Sequence, residues 1–182
     1  MIAECIIFLA TLGSVEPLPS DNYLIEQKMN CNQSVPAKMQ EHAELYYEFF
    51  DVKNIPVAVR IGWCESRGKT TAVRTDEGNN DSGVMQFVPW TWNWVAETYD
   101  LPMWNEWRVM RFDRPYTENK TYKHDIGFSL EKPQMTPYYN IMFASILAED
   151  IYGRTQWRDW NSSKWCWGNE KKWEKRWKSE EE

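Results

Sequence analysis

Trp63-Cys64-Glu65-Ser66-Arg67-Gly68, followed at a short distance by Ser82-Gly83-Val84-Met85-Gln86-Phe87-Val88-Pro89-Trp90-Thr91-Trp92, is the stretch on which the reading of this chain turns. Upstream of it, Asn54-Ile55-Pro56 has the form of a helix start, with proline in the first turn. Ala58, Ile61/Gly62 and Glu65 fall on one helical stripe, and Val57, Ile61 and Cys64 on an adjoining one. The spacing predicts a helix that runs to Ser66 and is stopped at Gly68. One carboxylate, Glu65, therefore closes an apolar helix. A Gly-containing turn and an amide, Gln86, follow among aromatic side chains.

A lone acid in an apolar, aromatic setting suits glycosidic bond cleavage, which needs a proton delivered to a poor leaving oxygen. An ordinary Glu, with a pKa of about 4.3, is ionised near neutrality. Burial disfavours the charge, and the negative end of a helix dipole acts in the same direction. Trp63 and the Ile61 turn offer the apolar wall. Ser66 stands ready to bond the carboxylate or a sugar group. Ser82-Gly83 makes a tight turn, and Gln86 carries donors and an acceptor for an N-acetyl group or a hydroxyl. A surface Glu paired with Arg60 or Arg67 is the bland alternative for Glu65.

Working outward, 182 residues with 42% hydrophobic content suit one domain with appendages. A net charge of −6 argues against nucleic acid as a partner. No apolar run reaches transmembrane length. Twelve Trp are unusual for this length, and most are expected in the core. Two or three exposed along a groove would suffice to stack sugar faces, and the segment 90–94, with Trp90 and Trp92, is the candidate. The two histidines, His42 and His124, are far apart, and the four cysteines lack zinc spacing, so neither a metal nor another cofactor is expected. His42 is expected on a helix surface and His124 in a loop.

The apolar segment 5–12 has the length of a signal-peptide core, followed by Gly13 and Ser14, but lacks a basic start and carries Glu4. Residues 1–18 are thus either a signal-like segment or a hydrophobic arm packed on the domain. Residues 19–33 are expected as a linker. A helix is predicted over 35–50 with Ser34 as its cap, a loop or small irregular hairpin over 69–81, and a Trp-rich helix over 89–99. An irregular insertion bordering the cleft is expected over 100–135. Another helix starts at Thr136-Pro137 and stops at Gly153, its core face made by Ile141, Ala144, Ala148 and Ile151. An aromatic segment with Trp157, Trp160, Trp165 and Trp167 precedes a charged tail over 169–182, read as an exposed amphipathic helix and a frayed acidic end. The domain proper is set at 34–168.

These residues resemble the lysozyme-like soluble lytic transglycosylase superfamily. The resemblance rests on Glu65-Ser66, on Ala72, and on Gly83-Val84-Met85-Gln86, with Val84 where the family has Leu. Cys64-Glu65-Ser66 with Gly68, and Gln86-Phe87 with Pro89 and Thr91-Trp92, are similar to the resuscitation-promoting-factor branch. Asn140-Ile141 with Ala144 and Leu147, and the segment from Trp160 to Cys166, complete the ordered set over roughly 50–168. The loop at 76–81 is more acidic than the family's, and the insertion at 100–135 is atypical.

The resemblance implies a mainly α, single lysozyme-like domain acting on peptidoglycan glycan strands as a monomer, secreted or in the cell envelope, or virion-associated. It implies Glu65 as the one essential acid. Glu65 would protonate the oxygen leaving N-acetylmuramic acid C1, then take the proton of the same sugar's C6 hydroxyl as a 1,6-anhydro ring closes. Ser66, Ser82, Gln86, Trp90, Trp92, Tyr139 and Asn140 would contact substrate. A lysozyme-type hydrolase on the same fold would activate water instead, with Asp76, Glu77 and Asp81 as candidates for a second carboxylate. A glycan-binding module without catalysis is a third reading. The resemblance also implies a Cys64–Cys166 disulfide, closing a loop of about 100 residues and stabilising by roughly 4–5 kcal/mol. Cys31 then stays free or pairs with Cys5.

Overall fold

Residues 1–12, 22–74, 80–106, 108–112, 127–152 and 157–181 are described by the computed structural model. Helices dominate them, with two small antiparallel hairpins. The mainly α class read from the sequence holds.

α1 (Ile2–Leu12) turns Ile2, Cys5 and Ile6 inward, a spacing that places them on one helical face. It packs on α2 (Asn22–Ser34), α4 (Ala43–Phe49) and α5 (Ile55–Ser66). Residues 2–12 of the N-terminal segment are thus a helix packed on the domain. The expected linker over 19–33 is corrected: residues 22–34 are helical. α2 buries only Cys31 and Ser34, so its sequence has no apolar stripe to announce a helix. What ties it down is a Cys5–Cys31 disulfide to α1.

The single helix expected over 35–50 is two, α3 (Ala37–Gln40) and α4, broken at Glu41 and His42. Ser34 caps neither; it ends α2, where its hydroxyl donates to Asn30 O at 2.8 Å. His42 is buried rather than on a surface, and its Nε2 lies 3.0 Å from Gly68 O. Burial holds its pKa below the usual histidine value, against the pull of that carbonyl. His124 lies outside the described residues.

α5 follows its prediction. Pro56 stands in its first turn, and the chain leaves it through two left-handed residues, Arg67 (φ 57°) and Gly68 (φ 75°). Arg67 tolerates that conformation because its guanidinium caps the helix. Nη1 donates to Trp63 O at 2.9 Å and Cys64 O at 3.2 Å, and the plane lies 3.9 Å from the Trp63 ring centroid.

The loop region after α5 forms a short hairpin, β1 (Val73–Arg74) with β2 (Asp81–Ser82), and α6 (Pro89–Tyr99) stands where expected. The irregular insertion over 100–135 is corrected. It contains a second hairpin, β3 (Arg108–Phe112) with β4 (Gly127–Glu131), registered Arg108 to Glu131 and Phe112 to Gly127. The alternation in Gly-Phe-Ser-Leu-Glu is a strand pattern that the surrounding prolines and charges mask.

α7 (Pro137–Ser145) runs on through a π-helical turn, Ile146–Ile151. Thr136 stands at its N-terminus but donates its hydroxyl to Pro133 O rather than to the helix. Gly153, the expected stop, lies outside the described residues. Ile141, Ala144 and Ala148 are buried, joined by Phe143 and Leu147. A 3₁₀ stretch, Arg158–Ser163, leads into α8 (Lys164–Trp167) and α9 (Glu170–Glu181).

α9 is not the exposed tail expected. Trp173 and Trp177, one turn apart, are buried, with Trp173 edge-on to Trp63 of α5 at 6.0 Å. Glu180 pairs with Arg67 at 2.6 Å. The charged residues that suggested a solvated helix form its outer face, and the two indoles form the inner one.

Candidate active site

The stretch 82–87 makes a tight turn whose backbone groups are satisfied from four directions. Ser82 and Phe87 exchange N–H···O bonds of 2.9 and 3.0 Å, closing the turn. Gly83 N–H donates to Ala72 O at 2.9 Å. Asn140 accepts from Met85 N–H at 2.6 Å and donates to Ser82 O and Gln134 O at 3.1 and 3.0 Å. Trp160 Nε1 donates to Met85 O at 2.9 Å. Gly83 has φ 83°, and a Cβ there would collide with Asn140 Nδ2 and Gln134 O, so glycine is required. The turn is held by backbone bonds to Ala72 and between Ser82 and Phe87, and by the buried side chains of Asn140 and Trp160.

This accounting revises several expectations about substrate contact. Ser66 is buried, with its hydroxyl 2.8 Å from Val84 O and 3.0 Å from Gly62 O, so it fastens the turn to α5. Asn140 is buried and fully engaged in the same task. Gln86 is half-buried, and its Nε2 donates to Gly83 O at 2.8 Å and Ala72 O at 3.0 Å. Ser82 is buried and donates to Asn80 O at 3.0 Å. Trp92 is core: fully buried, stacked 3.8 Å from Phe143, with Nε1 bonded to Pro102 O at 2.8 Å. Large apolar surface on α6 had to point inward, and the sequence does not tell which of three nearby Trp does so.

Trp90 is 71% exposed and lies 6.2 Å from the half-exposed Trp94, so this pair keeps the stacking surface that Trp92 lacks. Tyr139 is half-buried, edge-on to Tyr138.

Glu65 lies in the last turn of α5, half-buried, beside Cys64. The Cys64–Cys166 disulfide joins this helix end to α8, with Cα atoms 6.0 Å apart. Three residues before Cys166, Ser163 reaches across to Glu65 and donates its hydroxyl to Oε1. Burial raises the Glu65 pKa above the ordinary carboxylate value, the Ser163 bond opposes it, the Asp81 charge adds to it, and Arg74 subtracts. The structure therefore brings Glu65 of α5 and Ser163 of the 3₁₀ stretch into contact, while the charges of Asp81 on β2 and Arg74 on β1 act on the carboxyl in opposite directions. Of the acidic-loop candidates, Asp81 is the one whose charge bears on Glu65; Asp76 and Glu77 lie outside the described residues.

Ser163 is absent from the sequence reading. No local signal marks it, because Ser163 and Glu65 lie 98 positions apart. Its hydroxyl also lies 3.0 Å from Trp160 O and accepts from Trp167 Nε1 at 3.1 Å. No protein-family model matches this chain, and no match is found among curated proteins or solved structures.

Proposed function

We propose that the protein cleaves the β-1,4 bond between N-acetylmuramic acid and N-acetylglucosamine in peptidoglycan as a lytic transglycosylase of lysozyme-like fold. Glu65 serves as acid and then as base. The observation that carries the reading is the desolvated Glu65 carboxyl at the end of α5, which accepts from the Ser163 hydroxyl and lies on the helix fastened by Ser66 to the 82–87 turn. Such a carboxyl holds its proton at higher pH than a free one and can give it to the leaving oxygen. The resulting carboxylate takes the C6 hydroxyl proton as that oxygen attacks C1. The two proton transfers balance, and no second carboxylate or metal is needed.

Asp81 supports a second reading. Its negative charge adds to the rise in the Glu65 pKa, so a second carboxylate is felt at the candidate acid. A hydrolase would use the second to activate water across the sugar, at a separation of about 6.5–9.5 Å in inverting enzymes. Two disulfides fit an oxidising compartment, which supports secretion or an envelope location. Among the described residues no helix is long and apolar enough to cross a membrane.

The deciding experiment is mass spectrometry of muropeptides released from purified peptidoglycan. 1,6-Anhydro ends that vanish in Glu65→Gln support the transglycosylase. Reducing ends lost in both Glu65→Gln and Asp81→Asn support the hydrolase. Binding of glycan strands without any release, equal in wild type and Glu65→Gln, replaces both readings with a binding module.

A further inference from the structure

A count of protons around Ser163 shows how Glu65 is held. The Ser163 hydroxyl has one proton and two acceptors within reach, Glu65 Oε1 and Trp160 O, the latter at 3.0 Å. Trp160 O is also reached by the indole of Trp167, whose Nε1–H lies 2.9 Å away. The carbonyl therefore stays satisfied when the serine turns away from it. The same Nε1 lies 3.1 Å from Ser163 Oγ, so its one proton is shared between the carbonyl and the acceptor side of the hydroxyl. Trp167 is buried, and Cys166 beside it is bonded to Cys64, so this arrangement is locked to the helix end that carries Glu65.

We propose that Ser163 is a positioning residue whose one hydroxyl proton, released from Trp160 O by the Trp167 indole, is dedicated to Glu65 Oε1, leaving Oε2 as the oxygen that carries and delivers the acidic proton. The hydroxyl bond is strong to the carboxylate and weak to the neutral acid, because a charged acceptor roughly doubles a hydrogen bond. Ser163 thus limits how far burial lifts the Glu65 pKa and keeps the carboxylate accessible for the step in which it acts as base. The charged groups that face Glu65 from the neighbouring strands are Asp81 and Arg74, which act in opposite directions. The catalytic consequence rests on the reading of Glu65 as acid and base; the hydrogen-bond assignment does not.

The test is the titration of the Glu65 side-chain carboxyl, followed by carbon NMR in protein labelled at glutamate, with Glu65→Gln assigning the signal. Loss of a hydrogen bond to a charged group is expected to move the midpoint upward by about one unit in Ser163→Ala. Ser163→Thr keeps the hydroxyl and is expected to restore the wild-type midpoint. Trp167→Phe removes the indole proton, makes Trp160 O compete for the serine, and is expected to shift the midpoint upward by less. In turnover of peptidoglycan, Ser163→Ala is expected to lower kcat about tenfold with KM unchanged, its alkaline limb moving with the titration.

An unchanged midpoint in Ser163→Ala overturns the proposal, as does an equal shift in Ser163→Thr. Should Ser163→Ala fail to fold, Trp167→Phe decides: an upward shift supports the assignment and a flat result overturns it. Because the titration needs no substrate, a protein that cleaves no glycan loses the functional reading while Ser163 is still judged by its effect on Glu65.

Discussion

α5 has a desolvated carboxylate at each end, and the two are bound in different ways. At its N-terminal end, Glu149 of the π-helical turn accepts from Asp51 N–H at 3.0 and 3.3 Å and from Asn54 Nδ2 at 2.6 Å. At its C-terminal end, Glu65 accepts, among the described residues, from the Ser163 hydroxyl. Burial raises the pKa of both. A raised carboxylate is therefore not in itself the mark of a catalytic acid. The partners differ in kind. Backbone and amide N–H groups at a helix N-terminus can only donate, so they favour the carboxylate form and oppose the rise that burial imposes. A hydroxyl can donate or accept, at an end where the helix dipole does not favour negative charge. Glu149 ties the segment before α5 to the turn after α7 as a staple, and the proposed role of Glu65 as acid and base rests on its different partner.

The largest expected effect separates those two roles directly. Glu65→Gln is expected to lower peptidoglycan turnover by about 10²–10⁴-fold, the usual contribution of a positioned acid–base group, with the fold and glycan binding kept. Glu149→Gln is expected to leave turnover of the folded protein near wild type. Equal losses in the two variants would break the comparison and make Glu65 a second staple.

The next effect probes the clamps. Replacing Cys64 and Cys166 together by Ser opens a loop spanning 102 positions and is expected to cost about 4–5 kcal/mol in denaturant unfolding. The Cys5–Cys31 pair spans 26, and its loss is expected to cost roughly 3–4 kcal/mol. The first change also frees the helix end carrying Glu65 from Ser163, so activity is expected to fall further than stability alone explains. Activity that survives undiminished in the folded Cys64/Cys166 variant would detach the disulfide from the site.

The same contrast shows what the chain discloses before it folds. Glu65 was legible because its neighbours are local: an apolar helix, a helix stop, and a turn a few residues on. α6 and the start of α7 were legible for the same reason, each opened by a proline. Glu149 passed unnoticed, since its partners lie nearly a hundred residues earlier and nothing in Ile-Leu-Ala-Glu-Asp-Ile marks a buried acid. Ser163 was missed although the disulfide that positions it was expected. Ser66 and Asn140 were assigned to substrate because polar side chains near an acid read as ligands. Their work is to satisfy the backbone of one turn, and only the folded accounting of donors and acceptors reveals that. α2 is missed because a polar sequence hides a helix attached by one cysteine, and α9, expected as a helix, is expected exposed because its charges mask the two indoles that bury its inner face.

A smaller effect tests the staple itself. Glu149→Ala leaves the Asp51 N–H and the buried Asn54 amide without their acceptor, and is expected to destabilise the protein by about 1–2 kcal/mol, moderated by the site's partial exposure. Glu65→Ala is expected to cost no such penalty, because Ser163 retains Trp160 O as an acceptor at 3.0 Å. A matched loss in both variants, read from urea midpoints, would mean that Glu65 is as firmly held as Glu149.

The finest distinction lies in the pH dependence of stability. A carboxyl whose folded pKa lies above its unfolded value binds more protons when folded, so its ionisation weakens the fold as pH rises. For Glu65 that weakening begins near the ordinary carboxylate value and is complete once pH passes the raised folded one. Glu65→Gln mimics the neutral acid at every pH. The variant is therefore expected to gain stability relative to wild type as pH increases through this window and to hold the gain above it. Glu149 titrates in both proteins and drops out of the difference. Paired urea unfolding curves from acid to mildly alkaline pH measure it. A difference that stays flat would leave Glu65 unperturbed by folding. One that runs the other way would show a carboxylate whose partners hold it ionised, with a folded pKa below the unfolded one, and would overturn its role as proton donor.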